Sequence, residues 1–81
     1  MNDMHLKFYS RPACALCEEG IIALKLVQED VAFTYEVINI EENNDIHEKY
    51  MLMIPVVELD GAIILYGNLD YPTLLETLQD K

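Results

Sequence analysis

The first forty residues run through a strand pattern, a helix pattern and a second strand pattern, an order that leaves an 81-residue chain few ways to fold. His5-Leu6-Lys7-Phe8-Tyr9 reads as a strand with Met4, Leu6 and Phe8 on one face. Ser10-Arg11-Pro12 ends it, because proline fixes its own φ and pushes Arg11 away from helical geometry. From about Ala15 to Glu29, Cys17, Ile21, Leu24 and either Val27 or Gln28 recur at helical spacing, and Glu18 and Glu19 suit a first turn. Val31 to Ile40 is β-branched and aromatic, with Phe33, Tyr35 and Val37 in partial alternation. A strand, a helix of ~15 residues and a second strand imply a right-handed parallel crossover.

The second half adds a different signal. Glu41-Glu42-Asn43-Asn44 is polar and carries candidate N-caps for a short helix to about Tyr50, with Ile46 and Tyr50 facing inward. Met51 and Met53 are expected in the core or lining a groove. Ile54 to Leu59 reads as a third strand, and Asp60-Gly61 predicts a hairpin turn into Ala62-Ile63-Ile64-Leu65. Asp70 as N-cap, Pro72 in the first turn and Leu74, Leu75 and Leu78 on one face predict a last helix. The order βαβαββα, as one domain over residues 1–81, gives an α/β fold with a four-stranded mixed sheet.

A chain this short buries only about 60% of its unfolded surface, so its core has to be regular. The formal charge is −10, from fifteen acidic and five basic residues. That balance argues against nucleic acid as a partner, because phosphate backbones are held by Lys and Arg clusters. No stretch approaches the ~18 apolar residues of a membrane span, and Met1-Asn2-Asp3-Met4-His5 lacks the basic and apolar regions of a signal peptide. No membrane association and a cytoplasmic location are therefore expected. His5 and His47 have no metal-ligand spacing to the cysteines, so no metal site is expected within one chain.

Cys14 and Cys17, the two cysteines, fall between the first strand and the first helix. A sulfur at a helix start meets unpaired backbone N–H groups and the positive end of the helix dipole. That environment lowers a thiol pKa from ~8.5 into the range of roughly 3.5–7.5. A disulfide across three residues closes too small a loop to restrain the unfolded chain much, so a structural staple is the weaker reading. The pattern implies thiol–disulfide exchange, with Cys14 as nucleophile and Cys17 resolving the mixed disulfide.

Cys-x-x-Cys after the first strand, Ile54-Pro55-Val56 before the third and Gly67-x-x-Asp70 at the head of the last helix together resemble a glutaredoxin of the thioredoxin superfamily. More narrowly, Arg11-Pro12-x-Cys14-x-Leu16-Cys17-Glu18 with Lys49-Tyr50-x-x-x-Ile54-Pro55-Val56 resembles a group of small glutaredoxin-like proteins of mostly unassigned substrate. The resemblance covers nearly the whole chain. It implies a thioredoxin-like, glutaredoxin-type fold with helices on both faces of the sheet. It also implies that Pro55 is a cis-proline facing the sulfurs, with the backbone of Ile54 free to pair with an extended substrate. Arg11 falls where such proteins hold a glutathione carboxylate, and Gly67 and Asp70 where they hold its γ-glutamyl end. Glutathione is implied as a possible co-substrate, with no tightly bound cofactor.

Three positions depart from the pattern. Tyr66 stands where the first of two glycines is usual, Glu18 and Glu19 where basic residues are common, and Ala15 where proline follows the first cysteine. The expected partner is a disulfide-containing protein or glutathione, and the expected state is a monomer. Two other uses stay open: a non-catalytic binding module, and iron–sulfur carriage through Cys14 and glutathione. Arg11 is a substrate anchor or a solvated loop cation, and Asp70 an amine ligand, an N-cap or both.

Overall fold

A computed structural model describes residues 4–81. The elements run β1 (His5–Ser10), α1 (Ala15–Val27), β2 (Thr34–Asn39), a single 3₁₀ turn (Ile40–Glu42), α2 (Asn44–Tyr50), β3 (Val56–Leu59), β4 (Ala62–Tyr66) and α3 (Tyr71–Gln79). The sheet order is β2-β1-β3-β4, with β1 and β2 parallel and the other two pairs antiparallel. This is the βαβαββα order expected from the patterning. The 3₁₀ turn was not foreseen; Asn39 opens it by accepting the Glu41 N–H through its side chain.

Two cores sit on opposite faces of the sheet. One joins Leu6, Phe8 and Val57 to Ala23, Leu24 and Val27 of α1 and Leu74 and Leu78 of α3. The other joins Tyr9 and Val56 to Ile40 and Tyr50, with Ile46, Met53 and Ile54 packed around them. Strand alternation explains the split, since Phe8 and Tyr9 are neighbours pointing to opposite sides. Helices therefore cover both faces, α1 and α3 on one and α2 on the other. Among the described residues no helix is long and apolar enough to cross a membrane.

Element ends shift for local reasons. Val31 N–H still bonds to Val27 O, and the Gln28 side chain donates to Phe33 O, so the chain leaves α1 slowly and β2 begins only at Thr34. Met53 and Ile54 both donate to Tyr50 O at the end of α2, and Pro55 has no N–H to give, which delays β3 to Val56. Val37 lies exposed on the edge strand β2, and Met51 is exposed while Met53 is half-buried. Asp60 and Gly61 both take positive φ (53° and 81°), as a two-residue hairpin turn needs. In β4 the register skips Ile64, leaving a bulge beside Val57 and Glu58.

Glu58 accepts hydrogen bonds from both Tyr9 and Tyr50, each at 3.2 Å, and the two rings lie 4.7 Å apart. Burial first, then the Glu58 charge and its hydrogen bond, push the Tyr9 hydroxyl from 10.0 up to about 12. The folded pKa lies above the unfolded one, so this contribution is complete below pH 10 and disappears as pH rises to about 12. The urea midpoint should therefore fall across that window, and Tyr9→Phe should flatten part of the fall. Part remains, because the Tyr71 hydroxyl is also raised by its 2.8 Å bond to Asp30.

Candidate active site

Between β1 and α1 the chain turns through Arg11, Pro12 and Ala13. Proline at the second position of this turn suits it, and Ala13 takes a positive φ of 56° at the third. Alanine is disfavoured there by its Cβ, at a cost of roughly 1–2 kcal/mol. The turn delivers Cys14 to the N-cap of α1 in extended geometry, φ −117° and ψ 106°. Its Sγ takes the part a Ser or Asp oxygen usually plays, accepting the Cys17 N–H at 3.2 Å.

Cys14 is half-buried, whereas Cys17, one turn on, is 4% exposed. Their Cα atoms lie 5.2 Å apart and the sulfurs are joined in a disulfide, so this is the oxidised form of the pair. The reachable sulfur and the shielded one have different surroundings. Cys14 is thus the more exposed of the two, although Cys17 still reaches a neighbouring cavity.

The Ile54–Pro55 peptide is cis and Pro55 is buried. A position missed in the sequence explains how α1 comes so close to it. Gly20, one turn beyond Cys17, faces Phe8 and Pro55: a Cβ there would lie 3.2 Å from Phe8 Cζ and 3.4 Å from Pro55 Cγ. The glycine lets the cysteine helix settle against both. The buried stripe of α1 accordingly runs Cys17, Gly20, Ala23, Leu24 and Val27, with Ile21 only partly covered.

Gly67 ties the other side of the site together. With φ at 84°, a conformation open to glycine, its N–H points at both Met53 O (3.1 Å) and Pro55 O (2.9 Å). Three residues on, Asp70 caps α3 by accepting the Thr73 N–H at 2.9 Å. That bond holds the exposed Asp70 carboxyl below its usual range. The N–H of Gly67 and one oxygen of Asp70 are thus engaged within the chain.

Ile54 departs from expectation. Its N–H is taken by Tyr50 O at 3.1 Å, so the backbone is only half free; among the described residues its carbonyl accepts no backbone hydrogen bond. The bond continues the α2 pattern one step past its end, from Tyr50 O to the residue four positions on.

Arg11 is exposed and lines a cavity of about 330 Å³ with Ser10, Cys17, Glu18, Ile21 and Ile22. None of Ile54, Pro55, Gly67 or Asp70 lines it. The structure thus brings Cys14, Cys17 and Arg11 together at the loop, and Ile54, Pro55 and Gly67 together at the crossing of α2, β3 and β4. Gly20 joins the two groups.

Comparison with known proteins bears on the family and the fold. A family model described as a glutaredoxin-like domain (DUF836) matches residues 5–79. A glutaredoxin-like protein of Dictyostelium discoideum, named as a YDR286C homolog, is 32% identical over 84 residues, covering 96% of this chain and 78% of that protein. Among solved structures, protein Ne2328 from Nitrosomonas europaea superposes with a TM-score of 0.82 at 30% identity, covering 96% of this chain and 94% of that one. A mutant thioredoxin from Halobacterium salinarum shares the fold alone, with a TM-score of 0.71 at 20% identity over 98% of this chain and 74% of that one. With the cysteine pair at a helix start, the hairpin behind it and a family match over nearly its full length, the chain belongs to the glutaredoxin-like domain family and has a thioredoxin-like fold.

Proposed function

We propose that this chain is a thiol–disulfide oxidoreductase, with Cys14 as the attacking thiolate and Cys17 as the resolving thiol. The observation that carries the reading is the place of the Cys14 sulfur, which caps α1 and accepts an amide hydrogen at 3.2 Å. In the reduced protein such a sulfur gains from losing its proton, because the helix start presents donors and partial positive charge. Glu18 and Glu19 oppose this through their charge, but both are exposed and screened by solvent.

The reaction is balanced in two exchanges. Cys14 thiolate attacks one sulfur of a substrate disulfide, forming a mixed disulfide and expelling the other sulfur as a thiolate that takes up a proton. Cys17, as thiolate, then attacks Cys14 Sγ, restoring the intramolecular disulfide and releasing the second substrate thiolate. The substrate disulfide is reduced by two electrons and the dithiol is oxidised. An external thiol reductant, glutathione or a dithiol protein, returns the pair to the reduced form. A cytoplasmic thiol pool would supply it.

The substrate is a protein disulfide or a glutathione mixed disulfide. The Ile54 carbonyl, ahead of the buried Pro55, is the backbone acceptor offered to it. For a glutathione moiety Arg11 would meet a carboxylate, and Gly67 and Asp70 would bracket the amine end. The test is the ionisation of Cys14 in the reduced protein, followed by thiolate absorbance against pH. A pKa below ~8.5 is expected; a value at or above it means that the helix start provides no activation and the reading fails.

A further inference from the structure

We propose that the rim of the disulfide is a docking surface for a positively charged protein segment with apolar residues beside its own disulfide, in preference to glutathione. The proposal rests on the oxidoreductase reading and narrows its substrate class. Three large apolar side chains stand exposed on the three segments that frame the site. Leu16, between the cysteines, is 44% exposed; Leu52, two residues ahead of Ile54, is 92% exposed; and Tyr66, at the end of β4, is 59% exposed. The junction at Gly67 N–H, bonded to Met53 O and Pro55 O, brings the Leu52 and Tyr66 segments to one place. Leu52 lies two residues before Ile54 and three before the buried Pro55, and is almost bare, so an apolar side chain of a partner can cover it when its backbone reaches the Ile54 carbonyl.

Charge decides the occupant. The formal charge is −10, and the exposed carboxylates of Glu18, Glu19, Glu48 and Asp70 on the same loops and helix ends outnumber the two exposed cations there, Arg11 and Lys49. Among the described residues no Lys or Arg lies within salt-bridge distance of a carboxylate; the one basic–acidic side-chain contact is His5 with Glu36, at 3.3 Å. Such an uncompensated field favours a cationic partner and speeds its encounter by a factor of roughly 10 or more at low salt. Glutathione is small and anionic: it gains little from three spread apolar contacts and approaches against the field. Tyr66 stands exposed directly before Gly67, whose N–H is bonded to Pro55 O.

Two synthetic peptides test this, identical in an apolar-flanked disulfide and differing only in carrying lysines or glutamates. Rates of reduction by the reduced protein are compared with those for glutathione disulfide and for a small neutral disulfide, at low and high salt. The lysine peptide should react about ten-fold faster than its glutamate twin at low salt, with the gap closing as salt screens the charges. Glutathione disulfide should speed up with salt. Leu52→Ser should slow the lysine peptide several-fold more than it slows the small disulfide. Equal peptide rates, glutathione disulfide outpacing both, or a Leu52→Ser variant that slows every substrate alike overturns the docking surface. The small neutral disulfide reads the chemistry alone; if it is not reduced, the oxidoreductase reading falls. Docking is still judged in that case by fluorescence anisotropy of the two peptides, with serine in place of cysteine, on the oxidised protein. Lysine-peptide binding weakened by Leu52→Ser sustains the surface, and absence of binding ends it.

Discussion

Cys14→Ser lowers the rate of disulfide reduction by on the order of 10³-fold or more, while the fold is retained. Serine is an effective N-cap, so the substitution keeps an acceptor for the Cys17 N–H and leaves the start of α1 intact. Its hydroxyl is not ionised at neutral pH and does not exchange with disulfides, so chemistry is removed without the scaffold. Loss of the crosslink costs little, because the closed loop is only a turn long. Cys17→Ser behaves differently: Cys14 still attacks, but nothing resolves the product, and a mixed disulfide accumulates in a 1:1 ratio. Steady-state reduction of a small disulfide checks the first variant, intact-protein mass spectrometry the second, and the urea midpoint shows that both remain folded. A Cys14→Ser variant within tenfold of the parent rate removes Cys14 as nucleophile.

What was legible in the sequence was mostly what short-range rules govern. Asp60-Gly61 announces its turn because both residues tolerate positive φ, and Asp70 with Pro72 announces α3 because the cap and the ring suit a helix start. Cys14 could be placed at the head of α1 for the same reason. Features that depend on distant partners were not legible. Gly20 looks like an ordinary helix residue until the packing of Phe8 and Pro55 against it is seen. Glu58 looks like a strand-edge charge, yet it accepts from tyrosines 49 and 8 residues away. The Ile54 N–H, expected to be open, is lost to α2 because that helix ends at Tyr50 and its last carbonyls seek donors. Ala13 is a different failure: alanine gives no sign of positive φ, and the conformation is imposed by what lies on either side.

Phe8→Ala destabilises the domain by about 3–5 kcal/mol. Phe8 is fully buried and packs in the core that joins the sheet to α1 and α3, so its loss leaves a cavity walled by three elements. At roughly 0.05–0.15 kcal/mol per residue, a domain of this size has only about 4–12 kcal/mol in total, and the substitution removes much of it. The thermal midpoint should drop by ~12–40 °C, and the urea midpoint should fall in step. The site is affected through the same ring. Phe8 Cζ is the atom that a Cβ on Gly20 would crowd at 3.2 Å, so the two positions share one space. In the parent, Gly20→Ala sets a gain in helix propensity of ~1 kcal/mol against that crowding. In a Phe8→Leu background the crowding is relieved, and the same Gly20→Ala change should be more favourable by about 0.5–3 kcal/mol, the usual range for residues in contact. A double-mutant cycle on urea midpoints measures the difference. Strict additivity would mean that Gly20 is not packed against the Phe8 ring, and the account of how α1 reaches Pro55 would have to be replaced.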